Sequence, residues 1–443
     1  MTSYLAVQTL KWQSLRANQR VCFHSVEATL KAMFERPGFA KKITHRKKRC
    51  TNPDVLYNVY DGRMWHELMD QNNKRSVDDD DLLPLTLNVD WFQPFSTGRI
   101  HSAGAVYLTI NNLPHSEQYK PWNVILVGIM QSPKEPSMHR INHYLRPVVD
   151  ELEKFYTGVI ATVNGRSNTR IRAALLMVAC DIRAARKVSG FTGIASMLAC
   201  YKCKRQFSSI AGNHLQRDFS GFTTEEIAAW EKRSGTENRI HAEAWANASN
   251  LDERRMIERV YGAGSSELRR LTYFDAVRCT IVDPMHKLYS GTAKGVLDLW
   301  SRCSIRVRTR LRSPHKTLKL WSLEGNYLLS MPSISLKDLD DAHEYLRQFC
   351  EQYDRLYGKE EITLNMHLKK TIEDFGPIYA LLLNRLNQPF EPASNPHISF
   401  RRSSRINELA LVWPYPTHQD ANVQTILGRL RTFCASSFIL DGL

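Results

Sequence analysis

The sequence predicts an α/β protein with a mixed sheet as its core, a mostly helical insertion, and a basic, mostly helical N-terminal region. Three observations favour this class. Apolar segments of strand length follow one another at 85–91, 104–112 and 123–130. An amphipathic segment at 146–157 has the spacing of a helix. A nearly continuous apolar run at 172–181 then fits a strand that is buried on both faces.

This order of strand, strand, strand, helix and strand opens a ribonuclease H-like (RNase H-like) fold, in which the first and fourth strands are neighbours. Pro147 suits the first turn of the helix. Asp90 lies on the first strand and Asp181 at the end of the fourth. Carboxylates that meet at one sheet edge suit Mg²⁺ or Mn²⁺, because these ions prefer oxygen ligands. Such ions activate a water or hydroxyl and stabilise the leaving oxygen of a phosphodiester.

Each aspartate also has a simpler structural interpretation. Asp90 can start the turn that follows its strand, and Asp181 can cap a helix in "DIRAARKVSGF". Taken together, in this strand order and in a basic chain, they favour metal binding. We therefore predict Asp90 and Asp181 as catalytic metal ligands.

The charge of the chain points to a polyanionic partner. Its 443 residues include 60 Lys and Arg against 45 Asp and Glu, a formal net charge of +15. The cluster at 41–50 contains Lys47, Lys48 and Arg49, for which we predict nuclear import or DNA contact, with a solvated loop as the alternative.

A second basic block occupies 302–320. There Arg306, Arg308 and Arg310 alternate with apolar residues, so an extended chain presents one cationic face that suits a phosphate backbone. An edge strand that uses charge against aggregation is the alternative interpretation. No apolar stretch approaches the length that spans a membrane, and no export signal opens the chain.

The cysteines indicate a reduced intracellular protein with one metal motif. There are nine, an odd and mostly scattered set, unlike a secreted disulfide framework. Cys200 and Cys203 form a C-x-x-C pair, which is half of a tetrahedral zinc site. A pair of buried free thiols is the alternative. The candidate partners are His214, His241, His286 and His367.

Four regions follow from these patterns. They are a basic N-terminal region and linker (1–81), a core with both aspartates (82–199), a zinc-knuckle and helical insertion (200–340), and a C-terminal helical part (341–443). The last begins within an amphipathic helix predicted at 335–358. Nucleotide-binding G-x-G-x-x-G and Walker loops are absent from the sequence, so nucleotide-driven chemistry has no support.

Collinear blocks of the chain resemble a known family. The segments "LNVDWFQPF", "NVILVGIMQSPKEP", "ACDIRAARKVSGF", "CYKC", "YFDAVRCTIVDPMHKLYSG" and "DFGPIY" are similar to the transposases of CACTA (En/Spm-type) DNA transposons, in a form common in fungi. The resemblance runs in order from about residue 57 to about residue 380.

The resemblance implies a DDE-type nuclease and strand transferase that acts on transposon-end DNA in the nucleus as a multimer. Asp90 matches the first acid and Asp181 the second. Cys200 and Cys203 match the thiolate half of a zinc site, and His367 matches a histidine ligand. Asp283 and His286 match the D-x-x-H motif of the family, and we predict a DNA contact for His286.

The chain departs from the family pattern at the third acid. Asn384 stands where the family has glutamate, and Thr363 and Asn365 precede His367 where a second histidine is usual. An amide lacks the charge of a metal-binding carboxylate, so catalytic competence stays an open question. A nuclease-dead, zinc-stabilised DNA-binding remnant of a transposase is the alternative function. The acids nearby in sequence are Glu373, Asp374 and Glu391.

Overall fold

A mixed sheet forms the centre of the part of the chain that the structure describes. The computed structural model describes residues 2–8, 17–44, 52–67, 82–92, 102–132, 135–163, 165–282, 324–329, 331 and 333–367. The strands are β1 (Thr2–Gln8), β2 (Ala17–His24), β3 (Val55–Leu56), β4 (Leu82–Phe92), β5 (Ser102–Ile110), β6 (Ile125–Ser132), β7 (Val159–Val163), β8 (Arg166–Val178), β9 (Ser209–Ile210), β10 (Asn213–Arg217) and β11 (Ile334–Ser335). Within these ranges the central sheet has seven strands in the order β1-β2-β6-β5-β4-β8-β7. The predicted α/β class is confirmed.

Some helices pack against this sheet, and others belong to a second, helical part of the chain. They are α1 (Val26–Glu35), α2 (Phe39–Ile43), α3 (Arg63–Glu67), α4 (His115–Gln118), α5 (Met138–Thr157), α6 (Ile182–Ser189), α7 (Thr224–Ala228), α8 (Gly235–Asn247), α9 (Leu251–Tyr261), α10 (Ala276–Cys279), α11 (324–329), α12 (Leu336–Tyr357) and α13 (Leu364–His367). Short 3-10 turns lie at Val59–Asp61, Pro121–Asn123, Glu267–Arg270 and Lys359–Glu361. No helix in these ranges is long and apolar enough to cross a bilayer.

Strands β4 and β8 lie side by side in the sheet and run parallel. Every residue of β4 from Leu82 to Val89 is buried, as is every residue of β8 from Ile171 to Val178. Their register runs from Leu82 opposite Arg172 to Leu87 opposite Val178. Such continuous apolar runs are typical of strands covered on both faces. The first and fourth predicted strands are therefore neighbours.

Helix α5 is part of the long connection from β4 to β8 that this parallel pairing requires, since parallel neighbours cannot be joined by a tight turn. The helix begins at Met138, where the side chain of Ser137 accepts a hydrogen bond from Arg140 N, and not near residue 146. Pro147 therefore lies inside the helix, where its missing N–H removes one helical hydrogen bond. The prediction for Pro147 was wrong because the apolar stripe continues upstream through Leu145 and Ile141, which are both buried.

The sheet continues on the far side of β8. Strand β7 pairs antiparallel with the first part of β8. Farther along, Thr280 forms a parallel bridge with Val178, and Ile281 N donates to the Val178 carbonyl at 3.0 Å. Three parallel segments thus lie together where β8 ends.

The N-terminal region is helical only in part. Strands β1 and β2 form an antiparallel hairpin, and Phe23 of β2 pairs with Gly128 of β6. The helical prediction is right for α1 and α2 and wrong for these two strands. The edge of β6 offers a partner with which β2 can pair. Because strand preference depends on available pairing more than on composition, residues that the sequence predicts as helical form strands here.

A second apolar core lies under the helical part of the chain. It joins residues 191–222 to the side chains of α12 and α13, and includes Cys200, Cys203 and Phe207. Helix α12 matches the helix predicted at 335–358, with one buried stripe of Leu339, Ala342, Leu346, Phe349, Cys350 and Tyr353. The two predicted cysteine ligands therefore lie in this core.

Gly104 offers a direct test of how tightly the central sheet packs. A Cβ at this position would lie 2.6 Å from two ring atoms of Trp91, its partner across β4 and β5. Overpacking typically costs about 1–3 kcal/mol, and alanine recovers about 0.5–1 kcal/mol of chain entropy. We expect Gly104→Ala to lower the free energy of unfolding by about 1 kcal/mol or more. Urea denaturation measures this difference.

Gly193→Ala is the matched control, because nothing lies within 4 Å of the added Cβ. Its unfolding free energy should stay within about 0.5 kcal/mol of wild type. Equal stability of the two variants would contradict the packing of Trp91 over Gly104.

Candidate functional site

Three of the residues considered as metal ligands converge at one buried point. The ligand atoms of Cys200, Cys203 and His367 all lie within 4.8 Å of one another. The Cys203 Sγ atom is 3.2 Å from Nε2 of His367. Among the residues that the structure describes, this is the only such cluster of three or more His, Cys, Asp or Glu side chains.

The backbone of the C-x-x-C turn is arranged around the first thiol. The N–H groups of Lys202 and Cys203 donate to the Cys200 Sγ atom at 3.2 and 3.3 Å. The turn also pairs with the chain at 231–233, through a bridge between Cys203 and Lys232. Donors aimed at sulfur favour the thiolate, which is the form that binds metal.

The geometry and the donor types fit a zinc ion. A tetrahedral ion with bonds of about 2.3 Å to sulfur and about 2.0 Å to nitrogen separates its ligand atoms by roughly 3.5 Å. The spacing of the three donors needs only small shifts to reach this arrangement. Two thiolates and an imidazole are a soft to borderline set that selects zinc over magnesium or calcium.

The two thiols are coupled. Burial raises the pKa of Cys200, but hydrogen bonds from Cys203 and His367 outweigh burial and bring this pKa well below its usual value. The hydrogen bond to Cys200, followed by burial, raises the pKa of Cys203. The two pKa values therefore shift in opposite directions, which favours the thiolate at Cys200 and the thiol at Cys203; a metal ion that binds both sulfur atoms would release the remaining proton.

Two arginines hold the carbonyl groups of the turn. Arg233 donates from Nε to the carbonyls of Cys200 at 2.9 Å and Cys203 at 3.1 Å. Arg186 is only 2% exposed and donates to the carbonyls of Thr192, Gly193 and Ala199. Burial lowers the pKa of Arg186 to about 10, so it stays charged at neutral pH.

Aromatic side chains enclose the imidazole of His367. The Trp230 ring centroid lies 4.0 Å from that of His367, and the Phe207 ring meets it edge-on at 5.0 Å. Arg205 lies over both aromatic rings. This packing restricts the rotation of His367 and keeps water away from the site.

The remaining histidine candidates lie elsewhere. His241 stacks on Tyr261 at 3.8 Å, and His214 is exposed in β10. Thr363, which occupies the position of the second family histidine, is exposed. Among the described residues, three ligands converge and a fourth does not.

The predicted acidic pair lies just beyond the last described pairing of β4 with β8, and Asp90 is still within β4. Leu87 lies opposite Val178 in the parallel register, and Ala179 N donates to the Leu87 carbonyl at 2.9 Å. Asp90 is three residues beyond Leu87, and Asp181 is three residues beyond Val178. Both aspartates are half-buried.

Asp181 also caps α6, as the simpler interpretation of the sequence expected. Its Oδ1 atom accepts a hydrogen bond from Ala184 N at 2.8 Å. The other carboxylate oxygen accepts no hydrogen bond from any described residue. Because a carboxylate has several lone pairs, capping and metal binding are compatible.

Helix α6 links the acidic pair to the cysteine turn. The helix begins directly after Asp181, and Arg186 on its inner face holds the Ala199 carbonyl beside Cys200. A second link runs from the Tyr201 hydroxyl to the Ile281 carbonyl at 3.2 Å. Ile281 in turn bonds to Val178 of β8.

Several predicted residues lie outside the described part of the chain. Those predicted to contact DNA are Lys47, Lys48, Arg49, His286, Arg306, Arg308 and Arg310. The others are Asp283 and the residues considered for the third acid, namely Asn384, Glu373, Asp374 and Glu391.

Sequence reasoning missed the residues that support the cysteine turn, above all Arg186, Arg233 and Trp230. One signal was available for Arg186: it falls between the apolar residues of a short helix, on the side that includes Ala185 and Val188. A cation on that side requires buried acceptors. The sequence does not indicate which carbonyls supply them.

The comparisons with known proteins place this geometry in context. Residues 54–220 match the transposase family tnp2. The match includes Asp90, Asp181, Cys200 and Cys203, whereas His367 lies beyond it. It spans less than half of the chain, so it supports a transposase-like protein without defining the C-terminal part. A search of curated proteins gave no match.

The metal ligands can be tested by elemental analysis. Protein purified without chelators should contain about one zinc ion per chain. Cys203→Ser and His367→Ala should each lose most of this zinc, because each removes one of the three converging donors. Their melting temperatures should fall by at least about 5 °C.

Cys350→Ser is the matched control, since Cys350 is buried in the same core but its Sγ atom contacts the Met366 carbonyl instead of the ligand cluster. This variant should keep its zinc. Full zinc content in His367→Ala would show that the cluster is not a metal site.

Proposed function

We propose that this protein is a CACTA-type transposase that binds transposon-end DNA, cleaves phosphodiester bonds with Mg²⁺ or Mn²⁺, and transfers the cut strand. One observation carries the proposal: the parallel pairing of β4 and β8 ends with Leu87 opposite Val178, and Asp90 and Asp181 each follow three residues later. The tnp2 match over 54–220 independently supports a transposase-like function.

An RNase H-like core of the DDE type is part of this proposal. Apart from strand β7, which lies between α5 and β8, the chain order of β4, β5, β6, α5 and β8 is the order with which that fold opens. The neighbouring positions of β4 and β8 in the sheet support it as well. Adjacent strands lie about 4.8 Å apart, close enough for two carboxylates to share one ion.

In this function Asp90 and Asp181 would hold the divalent cation at the edge of the sheet. Carboxylate oxygens at a half-buried strand end suit a hard ion that keeps several waters. Such an ion supplies activation of the attacking oxygen and charge stabilisation of the leaving oxygen. The Ala184 N–H fixes the Asp181 carboxylate and limits its rotation before any ion binds.

The cationic regions would bind the phosphate backbone of DNA. The net charge of +15 favours such a partner, and phosphate contacts by Lys and Arg supply most of the affinity in sequence-independent binding. Lys47, Lys48 and Arg49 are proposed for nuclear import or DNA contact, and Arg306, Arg308, Arg310 and His286 for DNA contact. A homo-oligomer on paired transposon ends is proposed by analogy with related enzymes.

A nuclease-dead, zinc-stabilised DNA-binding protein is the second candidate. The observation that favours it is Asn384, which stands where the family resemblance expects the third acid. An amide brings no negative charge to a divalent ion, so two acids alone would bind the ion more weakly. The second candidate keeps the cysteine site and the cationic regions and loses only cleavage.

Cleavage is tested by nicking of supercoiled plasmid with Mg²⁺ or Mn²⁺. If the protein is a nuclease, Asp90→Asn and Asp181→Asn should each lower the nicking rate by about 100-fold or more, because each loses several kcal/mol of transition-state stabilisation. Asp252→Asn is the control, since Asp252 is exposed and contacts only Arg255 among the described ion pairs. Its nicking rate should equal that of wild type.

The two candidates give different results in this assay. Metal-dependent nicking that is lost in both active-site variants supports the transposase. No nicking by wild type, together with intact zinc, supports the DNA-binding remnant. Equal nicking by wild type and Asp90→Asn would rule out the acidic pair as the catalytic centre.

Both candidates require DNA binding that weakens with salt. Fluorescence anisotropy with a labelled duplex should give an affinity that falls by about 1000-fold between 50 and 200 mM salt if six or more phosphates are contacted. Replacing Lys47, Lys48 and Arg49 together by alanine should reduce the salt slope by about 3 if each contacts one phosphate. Absence of binding at 50 mM salt would contradict both candidates.

A further inference from the structure

Cys180 occupies the position at which β4 and β8 separate. The described pairing of the two strands ends at Leu87 and Val178. Asp181, three residues after Val178, is the N-cap of α6. Only two residues therefore lie between a paired strand and a helix cap. One of them, Cys180, is completely buried.

The thiol of Cys180 takes part in the hydrogen bonding between the strands. Val89 N donates to the Cys180 Sγ atom at 3.1 Å. In a regular parallel ladder this N–H would bond to a backbone carbonyl of the neighbouring strand. The same sulfur lies 4.0 Å from the Leu87 carbonyl, so it contacts β4 on both sides of residue 88.

Backbone hydrogen bonds also hold the two residues that precede Cys180. The Val178 carbonyl accepts from Ile281 N at 3.0 Å, and Ala179 N donates to β4. After these bonds the backbone of β8 turns toward α6, and the sulfur of Cys180 is bonded to β4 at this turn. This sulfur links Cys180 to Val89. Val89 immediately precedes Asp90, and Cys180 immediately precedes Asp181.

We propose that Cys180 is a positioning residue for the acidic pair: its thiol replaces a backbone carbonyl as the acceptor for Val89 N and thereby sets the spacing of Asp90 and Asp181. The inference rests on the proposed metal site at these aspartates. A residue that serves only to fill the core would affect stability without a specific effect on metal affinity.

Two substitutions separate hydrogen bonding from packing. Cys180→Val keeps an apolar side chain of similar size but cannot accept a hydrogen bond, which leaves Val89 N without its partner. Cys180→Ser keeps an acceptor at the same position. Cys279→Ala is the control, because Cys279 is also buried in the main core cluster but its Sγ atom makes no hydrogen bond to β4 among the described residues.

The measurement is Mn²⁺ binding to the full chain with its zinc retained, followed by the loss of the electron paramagnetic resonance signal of free Mn²⁺. We expect Cys180→Val to weaken binding by about 10-fold, and Cys180→Ser to stay within about 3-fold of wild type. Cys279→Ala should bind like wild type. Thermal melting of each variant verifies that it is folded.

Mn²⁺ binding by folded Cys180→Val that equals wild type would overturn the proposal, and so would equal weakening by Cys180→Val and Cys279→Ala. If Cys180→Val does not fold, Cys180→Ala, which also lacks an acceptor, is compared with Cys279→Ala, and the same two outcomes would overturn the proposal. Weakening of about 10-fold or more in the serine variant alone contradicts the proposal, because an acceptor is present. Asp181→Asn identifies the other failure. Unchanged binding in that variant would refute the proposed metal site itself.

Discussion

The parallel hydrogen bonding between β4 and β8 is the contact on which the proposed chemistry depends. It brings together two stretches of chain that are far apart in sequence and sets Leu87 opposite Val178. Parallel neighbours require a long crossover, which α5 provides with its buried apolar stripe. A slip of this register by one residue would change which residues of the two strands share a face of the sheet.

The cysteine turn depends on a second set of contacts that joins it to the same sheet. Arg186 belongs to the helix that Asp181 caps, and it holds the Ala199 carbonyl next to Cys200. Its charge is buried among carbonyl groups, so it requires all of these acceptors to offset the loss of water. The stability of the turn and the position of α6 are therefore linked, and a metal ion at the turn would stabilise both.

Strong periodic patterns made much of the fold predictable from the sequence. The apolar runs in β4 and β8 and the stripe of α12 identify their elements, and the C-x-x-C spacing identifies half of a metal site. The start of α5 was missed because Pro147 resembles a helix start while Leu145 and Ile141 continue the stripe. The hairpin of β1 and β2 depends on pairing with β6, and the contacts of Arg186 and Cys180 depend on tertiary structure. Neither can be read from local sequence.

The central claim is that Asp90 and Asp181 share one divalent ion, and a crystal soaked in Mn²⁺ tests it most directly. The anomalous difference map should show one peak about 2.2 Å from a carboxylate oxygen of each aspartate. A peak bound to one aspartate alone, or two carboxylates that point to opposite faces of the sheet, would contradict the claim.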